Sequence, residues 1–501
     1  MIEKMKKNKI IIIGIILYLF NILLLLDMSS RTINKRFLIA FIIENFLLVF
    51  LYFFVYKKRY NIEKKFIVSF TVIGLFYLFL FPIGSLPDEI NHFMRGYEIS
   101  KGNLISTKCK AKNGNSSGCT DITKEIEKAI IDSGGKYSTN KKAFEQKYNK
   151  NSKRYKSYFT NISMYSFICY TPQALGIFIG RILHLPILLW AYLARLFNFL
   201  VFVLLLNFSI KVIPYKKNVI MFIALLPITL QEVVSIAADC MAIGSAIALI
   251  SYVLYLKESK KKIEKKQIIL LFILSLMLSM SKLVYLPMCI FTLLIPVENF
   301  GSKRKKYIIL GLIIAVVGIL NLIWLKIASD FLLSISGGAD PDEQLKYIID
   351  NPFSYVVIVY NSIVTYFDWY LGTMLGSSLG LFYLSPSPIY IKSNILLLLL
   401  LILFNNDAKI KKEVKILSLL IFCIVVALIF TSLYLDWTVV GNSLVEGIQG
   451  RYFIPILFLF VLVLSSTNFK IKNTEVFNTK TLLLFMIMEN IYILTYIIYS
   501  Y

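Results

Sequence analysis

Long apolar runs alternate along the chain with short polar connections rich in lysine, and the runs are continuous rather than striped at a helical or strand period. An α-helix rises about 1.5 Å per residue, so roughly 17 to 25 apolar residues cross a hydrocarbon layer about 30 Å thick. The pattern predicts spans over Ile10–Leu26, Phe37–Tyr56, Phe66–Gly84, Leu188–Ile210, Val219–Val234, Met241–Leu256 and Ile268–Met280. It continues with Val284–Val297, Ile308–Ser329, Ile395–Phe404, Val414–Leu433, Phe453–Leu464 and Leu482–Tyr499. The expected fold is therefore an all-α polytopic membrane protein with about thirteen transmembrane helices. A further apolar run, Tyr165–Leu183, is broken by Pro172, Gly176, Gly180 and Arg181, and is expected to lie along the membrane surface or to re-enter.

Charge orients these spans. The stretches "MIEKMKKNK", "KKRYNIEKK", "KESKKKIEKKQ", "SKRKKY" and "NNDAKIKKE" all fall on one side, which the positive-inside rule makes cytoplasmic. The N-terminus is then cytoplasmic, and no small-residue cleavage site follows its first apolar run, which reads as a retained helix. The external segments are about residues 85–183, 330–390 and 434–451. The first should hold surface-lying helices rather than a compact soluble domain, because its pattern is amphipathic and broken by glycine. The chain divides into an N-terminal transmembrane hairpin (1–65), a transmembrane core (66–465), and a cytoplasmic loop with a last helix (466–501).

Composition agrees with a membrane protein: 57% of the 501 residues are hydrophobic and 15% aromatic, with a mean hydropathy of +0.71. The net charge of +25 would suggest a nucleic-acid surface in a soluble protein, but most of the cations sit in clusters between apolar runs, so no nucleic-acid partner is expected. Cys109 and Cys119 are the closest of six cysteines, and form either a loop disulfide or free thiols.

Candidate chemistry concentrates on the predicted external side. In "GSLPDEINHFMRGYEISKGNL", Pro87 ends one helix, and Asp88 and Glu89 suit the first turn of the next, on which Asp88, His92 and Arg95 share a face. Asp88 reads either as a catalytic carboxylate or as a helix cap, since "DPDEQLKYIIDNP" repeats the tripeptide before an amphipathic run. Glu89 and His92 make a Glu-x-x-His spacing, but the only other histidine is His184, so a di-metal site is disfavoured; a single divalent cation on Asp88 and Glu89 stays open. Asp239 in "SIAADCMAIG" is an N-cap or a site carboxylate. Lys282 in "LSMSKLVYLP" stands alone at the tip of two short spans, and Arg451 in "QGRYFIP" opens another. Lys282 and Arg451 are interface anchors or a cationic clamp for a lipid-linked phosphate. Asp368 and Asp436 are weaker candidates, each beside a tryptophan.

In order along the chain, "PDEINHFMRGYEISKGNL", "TPQALGIFIGRI", "ARLFNF", "SIAADCMA", "SKLVYLP" and "QGRYFIP" resemble the bacterial membrane-protein family catalogued as domain of unknown function number 2142, over about residues 66–465. That family looks like part of the GT-C superfamily of integral-membrane glycosyltransferases, with the protein O-mannosyltransferases and the aminoarabinose transferases. The resemblance implies transfer of a sugar from a polyprenyl-phosphate carrier to a cell-envelope glycan or lipid-linked acceptor, on the extracytoplasmic face of the bacterial plasma membrane. By resemblance Asp88 is the catalytic carboxylate and Glu89 its neighbour, Lys282 and Arg451 bind the donor phosphate, and His92, Arg95 and Asp239 support them. Where the aminoarabinose enzymes carry Glu-Lys, this chain has Tyr170 and Thr171, so their metal and phosphate ligands do not carry over.

Such chemistry needs a carboxylate to take the acceptor proton and cations to stabilise the departing phosphate, with a divalent cation helpful but dispensable. A polysaccharide polymerase or ligase is the nearest rival, but only His92 is a confidently external histidine. A transporter would place paired ionisable groups within its spans, where Glu44, Lys326 and Glu489 form no evident pair. A non-catalytic component of envelope polysaccharide export is the third class, and it would tolerate loss of Asp88.

Overall fold

The computed structural model describes residues 19, 35–57, 59–110, 116–159, 161–259, 261–331, 338–403, 410–465 and 479–501. The expected span Ile10–Leu26 lies outside the described residues, apart from position 19.

The described chain is a helical bundle. Its principal helices are α1 (Lys35–Tyr56), α2 (Ile62–Leu80), α3 (Glu89–Ser100), α4 (Phe167–Ile182), α5 (Ile187–Val212), α6 (Lys217–Leu225), α7 (Pro227–Val234), α8 (Asp239–Ser259) and α9 (Lys265–Ser281). After a 3₁₀ segment, Leu283–Leu294, come α10 (Lys303–Ala328), α11 (Pro341–Asp350), α12 (Pro352–Thr365), α13 (Phe367–Leu375), α14 (Pro388–Leu403), α15 (Lys412–Asp436), α16 (Ile454–Leu464) and α17 (Thr479–Ser500).

Five of these, α5, α8, α10, α15 and α17, are long and apolar enough to cross a membrane, and a sixth if α6 and α7 count as one bent span. The expected count of about thirteen is not reached among the described residues, because several apolar runs end short of a crossing or change conformation inside it. The run Val219–Val234 bends by 66° between α6 and α7. Pro227 has no N–H to continue the ladder and restarts the helix as its first residue. The run predicted over Val284–Val297 forms the 3₁₀ segment, with Pro287 inside it.

Helix α8 is the hub: 94% of its apolar window is buried, against 22% for α10 and 28% for α15 at the periphery. Gly244 allows α8 to press on α5, since a Cβ there would meet Leu205 Cδ1 at 2.9 Å. Gly176 does the same for α4, where a Cβ would stand 2.5 Å from the Leu193 carbonyl oxygen. The broken apolar run is thus a short helix folded back against α5. Outside the core, α1 packs along α17, and Thr495 donates to Glu44 between them at 3.0 Å.

The first long polar segment corrects an expectation. Besides helical turns it holds a three-stranded antiparallel sheet, β1 (Thr107–Lys110), β2 (Ser116–Thr123) and β3 (Arg154–Phe159), in the order β1-β2-β3. Cys109 and Cys119 join β1 to β2 as a disulfide, with Cα atoms 5.9 Å apart. Ile122, Ile126, Ile130 and Phe159 make a small core with Phe93, Tyr97 and Trp190. The segment is therefore a packed unit rather than a set of surface helices. Strand β3 alternates exposed and covered positions through "RYKSYF", a period of two that its lysine and arginine disguise in a hydropathy trace.

Candidate functional site

Helix α2 stops at Leu80, and the chain turns through Gly84, at φ +84°, before α3. The turn is clamped by Arg195 of α5, wholly buried. Its NH1 donates to the carbonyls of Leu78 (3.0 Å) and Phe81 (2.6 Å), and its NH2 to that of Pro82 (3.0 Å). The same guanidinium grips Glu89 in a bidentate pair, Nε to Oε1 at 2.6 Å and NH2 to Oε2 at 2.7 Å, while Gly84 N donates to Oε2 at 2.8 Å. Glu89, expected beside Asp88 in catalysis or on a cation, is placed as the anchor of this turn. Both its oxygens face a guanidinium, whose charge opposes a second cation there. Among the described residues no group of three or more His, Cys, Asp or Glu side chains could hold a metal ion.

Asp88 differs in every respect. It is exposed, adopts the left-handed conformation (φ 55°, ψ 11°), and makes no capping hydrogen bond although it occupies the N-cap of α3. A non-glycine residue held there is strained by about 1–3 kcal/mol, and persists because the surrounding clamp dictates the turn. The capping role does not account for Asp88.

One turn along α3, His92 is buried and its Nδ1 lies 2.6 Å from the Tyr170 hydroxyl. Burial lowers its pKa to about 4, the nearby Asp88 and Asp239 carboxylates being too weak to restore it. Its imidazole is therefore neutral at physiological pH. Arg95, expected on the same face, is spent on local structure: it pairs with Glu98 at 2.5 Å and donates to the carbonyls of Leu104 (2.5 Å) and Asn103 (3.3 Å).

Two cations lie within electrostatic reach of His92 from distant parts of the chain, and one of them, Arg451, reaches Asp88 as well. Lys282, in the break between α9 and the 3₁₀ segment, pairs with Asp239 at 2.5 Å. Arg451, just before α16, meets both oxygens of Glu232 at 3.3 and 3.4 Å. The ring of Tyr452 lies beside both, 4.9 Å from Lys282 Nζ and 5.6 Å from Arg451 Cζ. Arg451 Nε is buried with no hydrogen-bond partner, and Asp88 is within electrostatic reach of Arg451 as well as of His92. Pro87, Glu232, Gly380 and Arg451 line a narrow cavity next to the turn that carries Asp88.

Asp239 and Glu232 flank the irregular link between α7 and α8, Ser235–Ala238, whose carbonyls need outside donors. Asn198 Nδ2 bonds the carbonyls of Ser235 (2.8 Å) and Ala237 (3.3 Å), and Gln173 Nε2 those of Ile236 (3.3 Å) and Ala237 (3.2 Å). The quoted motifs thus interlock. "TPQALG" supplies Gln173, and "ARLFNF" supplies both Asn198 for this link and Arg195 for the Asp88 turn.

A family profile described as a predicted membrane protein, DUF2142, matches residues 70–460. The chain belongs to the DUF2142 family. No curated protein and no solved structure matches it. The DUF2142 region begins inside α2 and ends inside α16, so it takes in every residue of the cluster and leaves out α1 and α17.

Asp88, His92, Asp239, Lys282 and Arg451 are brought together by the DUF2142 core, whereas Glu89 and Arg95 are turned to structural partners. Glu232, Arg195, Tyr170 and Tyr452 were not among the expected site residues. Glu232 carried a legible signal, since "PITLQEVV" places a lone carboxylate in an apolar run where ionisable groups are costly. Tyr170 and Tyr452 carried none, because tyrosine is common throughout this chain.

Proposed function

We propose that this protein is a GT-C-type glycosyltransferase that moves a sugar from a polyprenyl-phosphate donor to a cell-envelope glycan or lipid-linked acceptor, outside the plasma membrane. One observation carries the reading: an exposed, uncapped carboxylate, Asp88, is within electrostatic reach of Arg451 and of His92, and His92 in turn of Lys282, each of the two cations being steadied by its own buried carboxylate.

In that reaction Asp88 accepts the proton of the acceptor hydroxyl as its oxygen attacks the anomeric carbon. The bond from that carbon to the phosphate oxygen breaks, and the electron pair leaves with the polyprenyl phosphate. Lys282, with two ammonium protons beyond the one given to Asp239, and Arg451, through its unpartnered Nε, neutralise the leaving charge. Neutral His92 can pass a proton without adding charge to the pocket. The Cys109–Cys119 disulfide supports an extracytoplasmic address, since such bonds persist in oxidising compartments.

Carriage across the membrane is less well supported. Glu44 bonds Thr495, Glu489 bonds Ser393, and Lys326 is exposed near the end of α10, so these three in-span groups are held in different surroundings. The test is a transfer assay on membranes holding the wild type, Asp88→Asn or Lys282→Ala, with labelled polyprenyl-phosphate sugars. Loss of product at normal protein level is expected from both variants; unchanged product sinks the enzyme reading.

A further inference from the structure

Next to the Arg451 cavity lies a larger, half-open cleft of about 590 Å³. The wall between them is a tight turn. Leu379 and Leu384 pair across its base, N–H to carbonyl at 2.8 and 3.2 Å in the two directions. Along its tip the sides alternate: Gly380 and Phe382 line the Arg451 cavity, while Leu381 and Tyr383 line the cleft. Gly380 (φ 61°) and Phe382 (φ 65°) both adopt the left-handed conformation within this turn.

Across the cleft stand Tyr137 and Tyr501, edge to face with ring centroids 6.3 Å apart. Its floor is the Gly134–Gly135 backbone, at φ 59° and 68°. A Cβ on Gly135 would stand 3.0 Å from the Gly84 carbonyl oxygen and from Ser85 Cα, so the floor rests directly on the turn that leads into Asp88. Ser85, three positions before Asp88, lines the cleft itself.

The lining decides the ligand class. A prenyl or acyl chain wants aliphatic walls, but Leu381 and Ile498 are the only aliphatic side chains among the described lining residues; the rest are tyrosine, serine, glycine and lysine. A pyranose ring presents an apolar C–H face and a rim of hydroxyls, which a tyrosine meets with its flat ring and polar tip. Tyr383 is 78% exposed, leaving its ring free to act as such a platform. The volume lies within the roughly 300–1,000 Å³ usual for small-ligand sites.

We propose that this cleft is a carbohydrate-binding subsite that holds the acceptor glycan and directs its terminal hydroxyl past the Gly380–Tyr383 turn toward Asp88. The assignment as acceptor rests on the glycosyl-transfer reading; the binding of carbohydrate does not. Two of the cleft's walls are the residue 381–383 turn and the end of α17, and the latter lies outside the DUF2142 match, so this chain supplies part of the subsite from its own C-terminal helix.

The test titrates the full-length protein, in lipid nanodiscs, with tetrasaccharides of glucose, mannose and N-acetylglucosamine, read by saturation-transfer NMR. The expected result is binding of at least one tetrasaccharide by the wild type, equal binding by Asp342→Asn, and at least tenfold weaker binding by Tyr383→Ala. Tyr383→Trp should restore most of the affinity, and a thermal unfolding midpoint equal to the wild type's checks that Tyr383→Ala is folded. Absence of binding by all three sugars, or equal binding by Tyr383→Ala, overturns the proposal, the latter leaving Tyr383 an interface anchor. Saccharide binding without any transfer would count against the glycosyltransferase alone, and transfer without saccharide binding against the cleft alone.

Discussion

The tripeptide Pro-Asp-Glu occurs twice in this chain and does two different things. At Pro341-Asp342-Glu343 it opens the short helix α11, and the preceding Asp340 caps it, accepting from the N–H groups of Asp342 (3.0 Å) and Glu343 (3.1 Å). Asp342 and Glu343 are both exposed first-turn carboxylates that favour the helix dipole. At Pro87-Asp88-Glu89 the glutamate is buried against Arg195, and the aspartate stands in the N-cap position with its side chain capping nothing. What separates the two is a guanidinium 106 residues away in the chain. Local sequence cannot distinguish a capped turn from an uncapped one when the deciding partner arrives from another helix.

This contrast can be broken in several ways. The largest effect expected from the proposed glycosyl transfer is on turnover: Asp88→Asn should cost about 10²–10⁴-fold, the usual contribution of a general base, while Asp342→Asn leaves transfer unchanged. Equal effects from the two would erase the distinction between the tripeptides.

Next is stability. Arg195→Ala strands a fully buried carboxylate and three carbonyls, and should lower the unfolding free energy by roughly 3–5 kcal/mol, seen as a large loss of folded protein on detergent extraction. The matching change at the second copy, Glu343→Ala, should leave extraction and the melting temperature near wild type, because that carboxylate is exposed.

A pH-dependent effect follows from His92. The unfolded chain takes up a proton on this ring below about pH 6.5, whereas the folded protein resists until about pH 4. Stability should therefore be whole above pH 6.5 and fall as the pH drops from 6.5 toward 4. Thermal unfolding across that window should show a shallower fall for His92→Gln; an identical slope in the two proteins would mean that the ring is not buried neutral beside Tyr170. The smallest effect expected is at the second tripeptide, where Asp340→Ala removes the cap and should cost about 1 kcal/mol, local to α11 and without effect on transfer.

Much of the fold was legible because it is written locally. Helices α5, α8, α10, α15 and α17 cover runs that hydropathy alone marks as spans. Pro227 and Pro287 were visible as residues, but their consequences, a 66° bend and a 3₁₀ segment, depended on whether neighbouring helices would accept a broken ladder. The β-sheet was missed because its strands, TKCK, SSGCTDIT and RYKSYF, are short and mostly polar, and their apolar partners, Phe93 and Trp190, come from helices before and after it.

The site was half legible. Polar residues in an apolar chain are conspicuous, and Asp88, His92, Asp239, Lys282 and Arg451 could each be picked out singly on that ground. Sequence by itself determined a membrane-embedded helical protein, the breaks between its helices, and a short roster of side chains too polar to sit in lipid without cause. Only the tertiary structure decided which of them face one another, that Glu89 and Arg95 serve the scaffold, and that each cation carries its own carboxylate. The physical reason is that hydrophobic length and proline breaks act within a few residues, whereas an ion pair is set by which helix ends the packing brings within a few ångströms.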